Sequence, residues 1–169
     1  MKRKKLLIFV ICILLSCCAD VFGQSHKGKL PVATIRDLDG KRVELSQYNS
    51  NENPVIVSFW ATWCGPCIHE LTAIHTVYKK WQEETGVELI AISIDDARTS
   101  KRVRPMVSGK GWDYKVLLDD NHQVKRAMNV VNVPYTFVLL KGQVVFEHSS
   151  YTPGAEEEMY AAIKKHLKN

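Results

Sequence analysis

The sequence predicts an α/β fold in which a central mixed β-sheet is flanked by helices. Residues 55–61 are almost entirely apolar and rich in β-branched and aromatic side chains, as in a strand buried on both faces. Residues 87–95 form a second such strand, and the helical segment between them predicts a parallel pair with a right-handed crossover. Apolar runs on both sides of Lys141 and Gly142 predict an antiparallel hairpin, so the sheet contains both kinds of pairing.

Two further helices are predicted in the second half of the chain. Residues 97–109 have helical character with an interruption at Pro105, because proline removes a backbone donor. Residues 153–167 carry glutamates in the first turns and lysines near the end, which suits the helix dipole. The buried stripe of this last helix is predicted to consist of Met159, Ile163 and Leu167.

The helix after the first buried strand begins at a pair of cysteines, Cys64 and Cys67. Gly65 lets the backbone turn out of the strand, and Pro66 lies in the first turn, where a helix tolerates proline. Beyond the pair, apolar side chains recur every three or four residues until Gly86, which closes the helix. This spacing defines one buried helical face, made of Cys67, Leu71, Ile74, Tyr78 and Trp81.

The position of the two cysteines predicts thiol–disulfide exchange. Unpaired N–H groups and the dipole at a helix N-terminus favour a thiolate, so Cys64 is the predicted nucleophile. Cys67, one turn further along, can then attack Cys64 and resolve a mixed disulfide. A structural disulfide and a zinc half-site are the alternatives. A disulfide that closes so short a loop stabilises the fold little, and a zinc site needs further ligands. Ile68 stands where a c-type haem site requires histidine.

The segment from Trp63 to Cys67, Trp-Cys-Gly-Pro-Cys, lies between a strand and a helix and resembles the thioredoxin superfamily. The resemblance implies a thioredoxin-like fold with a ββα-type C-terminal half. Residues 31–36 and 41–45 flank an Asp-Gly turn signal and predict an N-terminal β-hairpin. This hairpin, with the strand and short helix predicted over residues 114–128, is similar to the extracytoplasmic ResA/TlpA branch. Peroxiredoxins begin with the same hairpin pattern.

The resemblance also covers Val133 and Pro134, which match the cis-proline loop of the superfamily. It implies a cis peptide bond that leaves the Val133 backbone beside Cys64, where a substrate peptide can pair as an added strand. The implied substrate groove consists of Trp63, Val133 and Pro134. An ordinary proline at the start of a strand is the alternative.

Glu70 lies three residues after Cys67, on the same side of the helix. In ResA/TlpA-type proteins a glutamate at this position lies by the cysteines and passes protons during exchange, so Glu70 is implied to be a catalytic acid/base. The alternative is a carboxylate that merely favours the helix dipole. Ser58 stands where thioredoxin has a buried aspartate, and serine cannot serve as that base. His69, about 100° around the helix, is predicted to face solvent.

Residues 1–23 are predicted to be a signal peptide, with a basic start and an apolar stretch too short to span a bilayer. Cleavage after Gly23 is the preferred prediction, and lipidation at Cys17 in a lipobox-like segment is the alternative. Residues 24–30 would be a tether, and 31–169 the thioredoxin-like domain.

Cleavage after Gly23 changes both the charge and the cysteine count. It removes three of five cysteines, which leaves Cys64 and Cys67, and it removes four basic residues and one acidic residue, so the formal net charge falls from +5 to +2. No basic face with interleaved aromatic residues occurs, which excludes a nucleic-acid partner.

The predicted function is that of an exported enzyme, a thiol–disulfide oxidoreductase of the periplasm or cell envelope. It would reduce disulfides in exported proteins, take electrons from a membrane thiol donor, and need no metal or cofactor. Family resemblance suggests apocytochrome c as a client. A disulfide oxidase or isomerase is the alternative with the same residues. Two interpretations are less favoured. One is a copper-binding module in which Cys64 and Cys67 bind the ion and His69 or His122 assists; the other is a peroxidase, whose cysteine lies in a different motif.

Overall fold

The computed structural model describes residues 28–168. The predicted signal peptide, its alternative lipidation site and most of the predicted tether lie outside the described residues. The strands are β1 (Thr34–Asp37), β2 (Arg42–Glu44), β3 (Val55–Trp60), β4 (Glu88–Ser93), β5 (Lys115–Leu118), β6 (Tyr135–Leu140) and β7 (Gln143–Ser149). The α-helices are α1 (Gly65–Thr85), α2 (Val103–Lys110), α3 (Gln123–Ala127) and α4 (Ala155–Leu167), and two 3-10 helices span Leu45–Ser50 and Ser100–Arg102.

The described strands form one mixed sheet in the order β2-β1-β5-β4-β3-β6-β7. Strand β4 is parallel to β3 and to β5, whereas the other neighbouring pairs are antiparallel. Strand β3 lies inside the sheet and all six of its residues are buried, which explains why five of them are apolar. The structure confirms the predicted α/β class and the thioredoxin-like arrangement. It also confirms the N-terminal hairpin and the C-terminal ββα unit.

Helix α1 connects β3 to β4 and packs its predicted apolar face against the sheet. Its end is set by Gly86, which has φ 68° and whose N–H bonds the carbonyl oxygen of Gln82 at 2.8 Å. Near that end, the indole of Trp81 stacks on the ring of Tyr160 from α4, with centroids 4.7 Å apart. Helices α1 and α4 therefore cover the same face of the sheet.

Two details of the predicted helices are wrong. Pro105 does not interrupt a helix, because α2 begins at Val103 and places the proline in its first turn, where no intrahelical donor is needed. Leu167 is not part of the buried stripe of α4: it is 42% exposed at the last helical position, whereas Met159 and Ile163 are fully buried. The apolar spacing continues to Leu167, but the packed surface ends one turn earlier.

Candidate active site

Cys64 and Cys67 form a disulfide at the N-terminus of α1, with Cα atoms 5.3 Å apart. Cys64 is the N-cap residue, and its Sγ accepts a hydrogen bond from the backbone N–H of Cys67 at 3.3 Å. Cys67 is fully buried, whereas Cys64 keeps 6% of its surface exposed. Pro66 and Gly65 are exposed in the first turn, so the strand-to-helix turn presents Cys64 at the protein surface.

A buried carboxylate fixes the residues that lead into the disulfide. Asp95 lies just beyond the end of β4, next to the end of β3, and its side chain accepts hydrogen bonds from Thr62. The backbone N–H of Thr62 donates at 2.8 Å and its hydroxyl at 2.6 Å, and the Ser93 hydroxyl donates at 2.9 Å. The sequence analysis missed Asp95. The sequence signal for Asp95 is its position directly after a buried parallel strand, because the end of that strand lies at the same sheet edge as the cysteine pair.

The cis-proline loop lies at the same end of the sheet as the disulfide. The Val133–Pro134 peptide bond is cis, as the resemblance implies. Because β6 pairs Tyr135 with Phe59 in antiparallel register, Pro134 lies level with Trp60, the last residue of β3, which is four positions before Cys64 along the chain. The Pro134 carbonyl accepts the N–H of Ser150 at 3.0 Å.

The surface beside the disulfide is partly apolar. Trp63 is 59% exposed, Val133 is half-buried and Pro134 is buried. Within residues 28–168, the backbone N–H and C=O of Val133 form no hydrogen bond. These groups are therefore available to an extended peptide.

Glu70 is buried below the disulfide and is paired with a histidine that the sequence analysis missed. Its side chain is 1% exposed, and its Oε1 lies 2.6 Å from Nε2 of His148. Its Oε2 is also buried and has no hydrogen-bond partner among the described residues. The sequence does carry a signal for His148. In β7 this residue lies on the same face as Phe146, at a position where the alternation of apolar and polar residues predicts an apolar side chain.

A row of polar side chains crosses the sheet on the face that α1 covers. The strand register pairs Ser58 with Thr136 and Thr136 with His148, so the three side chains point to one face at one level. Ser58 and Thr136 are fully buried, and the Thr136 hydroxyl donates to the Ser58 Oγ at 2.9 Å. The position of thioredoxin's aspartate is thus filled here by a satisfied pair of hydroxyls.

The two candidate histidine ligands have different surroundings. His69 is exposed, as predicted, and Nε2 of His122 lies 2.8 Å from the carbonyl oxygen of Ile94. Residues 28–168 contain no cluster of three or more His, Cys, Asp or Glu side chains that could hold a metal ion. Among the helices of this range, none combines the length and the apolar character that a membrane-spanning helix requires.

Comparisons with known proteins agree with this geometry. The profile of the AhpC/TSA family matches residues 27–148. Thiol-disulfide oxidoreductase ResA of Bacillus subtilis is 30% identical over 156 residues, which cover 85% of this chain and 84% of that protein. Its counterpart from Bacillus anthracis is 31% identical over 157 residues, covering 86% and 88%.

Solved structures show the same fold. An uncharacterized thioredoxin-like protein from Porphyromonas gingivalis superposes with a TM-score of 0.73 at 42% identity, over 84% of this chain and 94% of that one. A putative thiol:disulfide interchange protein DsbE from Chlorobium tepidum gives a TM-score of 0.72 at 24% identity, over 83% and 97%. The chain, with its Cys64–Cys67 disulfide on a thioredoxin-like fold, therefore belongs to the AhpC/TSA family as a thiol–disulfide oxidoreductase of the ResA type.

Proposed function

We propose that this protein is an exported reductase of protein disulfides. The observation that carries the proposal is the contrast between Cys64, which caps a helix at the surface, and Cys67, which is buried one turn behind it. A substrate sulfur can approach only the first of these. Residues 1–23 as a cleaved signal peptide, or Cys17 as a lipidated residue, would take the protein to the periplasm or cell envelope.

The proposed cycle begins with reduced protein. The Cys64 thiolate attacks a substrate disulfide, one substrate sulfur leaves, and a mixed disulfide forms. The Cys67 thiolate then attacks Cys64, which closes the protein disulfide and releases the second substrate sulfur with the electron pair. A membrane thiol donor restores the dithiol. Glu70, buried three residues after Cys67, serves as the base that takes the Cys67 proton.

The substrate groove is proposed to consist of Trp63, Val133 and Pro134. The exposed indole of Trp63 offers an apolar contact, and the unpaired backbone groups of Val133 offer hydrogen bonds to an extended chain. An unfolded exported protein meets both requirements. Apocytochrome c before haem attachment is the proposed client, by analogy with ResA-type proteins.

The reduction potential of the Cys64–Cys67 couple tests the direction of electron flow. The mature protein would be equilibrated with dithiothreitol or glutathione buffers and its tryptophan fluorescence recorded, since Trp63 adjoins the disulfide. Because Gly65 and Pro66 resemble the residues of reducing members, we expect a value near thioredoxin's, about −270 mV. A value in the range of about −180 to −120 mV, typical of proteins that isomerise or make disulfides, would contradict the proposal.

A further inference from the structure

The two oxygens of the Glu70 carboxylate have different surroundings. Oε1 is 2.6 Å from Nε2 of His148, whereas Oε2 is buried without a partner among residues 28–168. When Glu70 acts as the base, its carboxylate only accepts hydrogen bonds, so the histidine beside it then carries a proton on Nε2. The N–H···O bond therefore occupies Oε1 and leaves Oε2 as the oxygen that can accept a proton from a thiol.

We propose that His148 is a positioning residue for thiol–disulfide exchange: it holds Oε1 of Glu70 so that Oε2 accepts the Cys67 proton, and it links this buried carboxylate to solvent. The inference rests on the proposed function, because Glu70 can act on Cys67 only if the dithiol cycle operates.

The link to solvent follows from the place of His148 in the sheet. Its strand, β7, is an edge strand, and its side chain is 16% exposed, against 1% for Glu70. The second ring nitrogen, Nδ1, has no hydrogen-bond partner within residues 28–168 and, unlike Glu70 Oε2, is not sealed from water. Solvent can therefore reach the ring at Nδ1 and exchange protons with it there. The ring in this way connects the buried carboxylate to water.

The other titratable groups that face Glu70 cannot take this role. Burial raises the pKa of Tyr114, and burial together with Glu156 raises the pKa of Tyr151 to about 12, so both phenols stay neutral near pH 7. Their hydroxyls are already engaged, with the Leu71 carbonyl at 3.3 Å and with Glu156 at 2.9 Å. The sheet beneath contributes only the two bonded hydroxyls of the polar row.

The step that His148 supports is the release of substrate. The Cys67 thiol gives its proton to Glu70 Oε2, and the thiolate attacks Cys64. The protein S–S bond forms, the bond between Cys64 and the substrate breaks, and the electron pair leaves on the substrate sulfur, which takes a proton from water. The protein dithiol is oxidised by two electrons and the substrate disulfide is reduced by two. Glu70 returns its proton to Cys67 when the thiol donor reduces the pair.

Three variants distinguish the hydrogen bond that holds Glu70 from proton exchange between the His148 ring and solvent. His148→Leu removes the hydrogen bond, His148→Gln keeps an amide donor that does not titrate, and His69→Gln removes a nearby exposed histidine that does not pair with Glu70. Each reduced protein would react with a peptide containing one disulfide, in single-turnover stopped flow from pH 5 to 9. Acid quenching and mass spectrometry would follow formation and decay of the mixed disulfide.

We expect His148→Leu to slow decay of the mixed disulfide by about tenfold at pH 7, and its formation by less than about twofold. His148→Gln should restore most of the decay rate, because the amide still holds Oε1, but should change the dependence of that rate on pH, because an amide does not exchange protons with solvent as the ring does. His69→Gln should match wild type. Combining His148→Leu with Glu70→Gln should slow decay no further than Glu70→Gln alone, because His148 acts through Glu70.

Other outcomes would overturn the inference. If the mixed disulfides of His148→Leu and His148→Gln both decay at the wild-type rate at every pH, His148 has no part in the step. If His148→Leu does not fold, an unchanged pH profile in His148→Gln alone refutes the link to solvent. Failure of the wild-type protein to form any mixed disulfide would instead refute the proposed function itself, so the two failures are distinguishable.

Discussion

At the scale of single residues, the two sulfurs of the disulfide differ in access and in hydrogen bonding. Cys64 Sγ accepts the N–H of Cys67 and reaches the surface, whereas Cys67 is fully enclosed. A thiolate on Cys64 would accept the same hydrogen bond, and that bond would be stronger, because hydrogen bonds to ionised acceptors are stronger than those to neutral ones. Cys67 can be attacked only after the chain opens, so its reachable partner is the sulfur of Cys64.

This difference predicts opposite results for the two serine variants. Cys67→Ser should accumulate a mixed disulfide between Cys64 and a substrate peptide, because the residue that resolves it is lost. Cys64→Ser should reduce insulin at no more than about a thousandth of the wild-type rate, since it lacks the nucleophile. Non-reducing gels and mass spectrometry would detect the adduct. If the adduct formed on Cys67 in Cys64→Ser as readily as on Cys64 in Cys67→Ser, the assigned order of attack would be wrong.

At the scale of elements, the active site depends on where two parallel strands end. Strand β3 leads into the disulfide and β4 leads into Asp95, and their parallel pairing brings both ends to one edge of the sheet. Asp95 is fully buried, and its carboxylate accepts three hydrogen bonds, all within 2.9 Å. It therefore ties β4 to the connection between β3 and α1.

Removal of this carboxylate should destabilise the protein and loosen the connection. Asp95→Ala leaves the Thr62 N–H and two hydroxyls buried without an acceptor, so we expect a loss of about 2–4 kcal/mol in the free energy of unfolding. Urea denaturation of the oxidised protein would measure it. Asp96→Ala is the matched control, because that side chain bonds the exposed Arg98 and should change stability far less. Equal losses in both variants would show that Asp95 has no special role.

At the scale of the whole molecule, periodic patterns were predictable and long-range polar contacts were not. The buried strand β3, the face of α1 and its end at Gly86 follow from local spacing, and the structure has them as predicted. The bond between Glu70 and His148 joins residues 78 positions apart, and that between Thr62 and Asp95 spans 33. Such pairs depend on strand register, which the order of elements alone does not specify.

The same distinction explains why the sequence predicts the cysteine pair but not the residues that support it. The cysteines, Trp63 and Pro134 lie in short motifs that are read along the chain, whereas His148 becomes a neighbour of Glu70 only after β7 has paired with β6. Leu167 shows the converse error. The periodic stripe continues to Leu167, past the surface that α4 packs against, because the sequence does not show where that surface ends.

The tyrosines give the whole molecule a predicted weakness at alkaline pH. Burial raises the pKa of Tyr78 and Tyr114, and burial with the Glu147 carboxylate raises that of Tyr135 to about 12. An unfolded tyrosine ionises near pH ~10. Above that pH the unfolded chain has lost protons that the folded protein retains, so the stability present below pH ~10 should fall as pH rises.

Urea denaturation at several values between pH 8 and 11.5 would measure this loss, and absorbance at 295 nm would count the phenolates in the folded protein. We expect fewer than the full six tyrosines to ionise before unfolding. Tyr114→Phe should flatten the alkaline decline, since it removes a buried hydroxyl whose pKa is raised. If all six ionised near pH ~10 without unfolding, the tyrosines would not be shielded as the structure indicates. An unchanged slope in Tyr114→Phe would show that Tyr114 does not contribute to the decline.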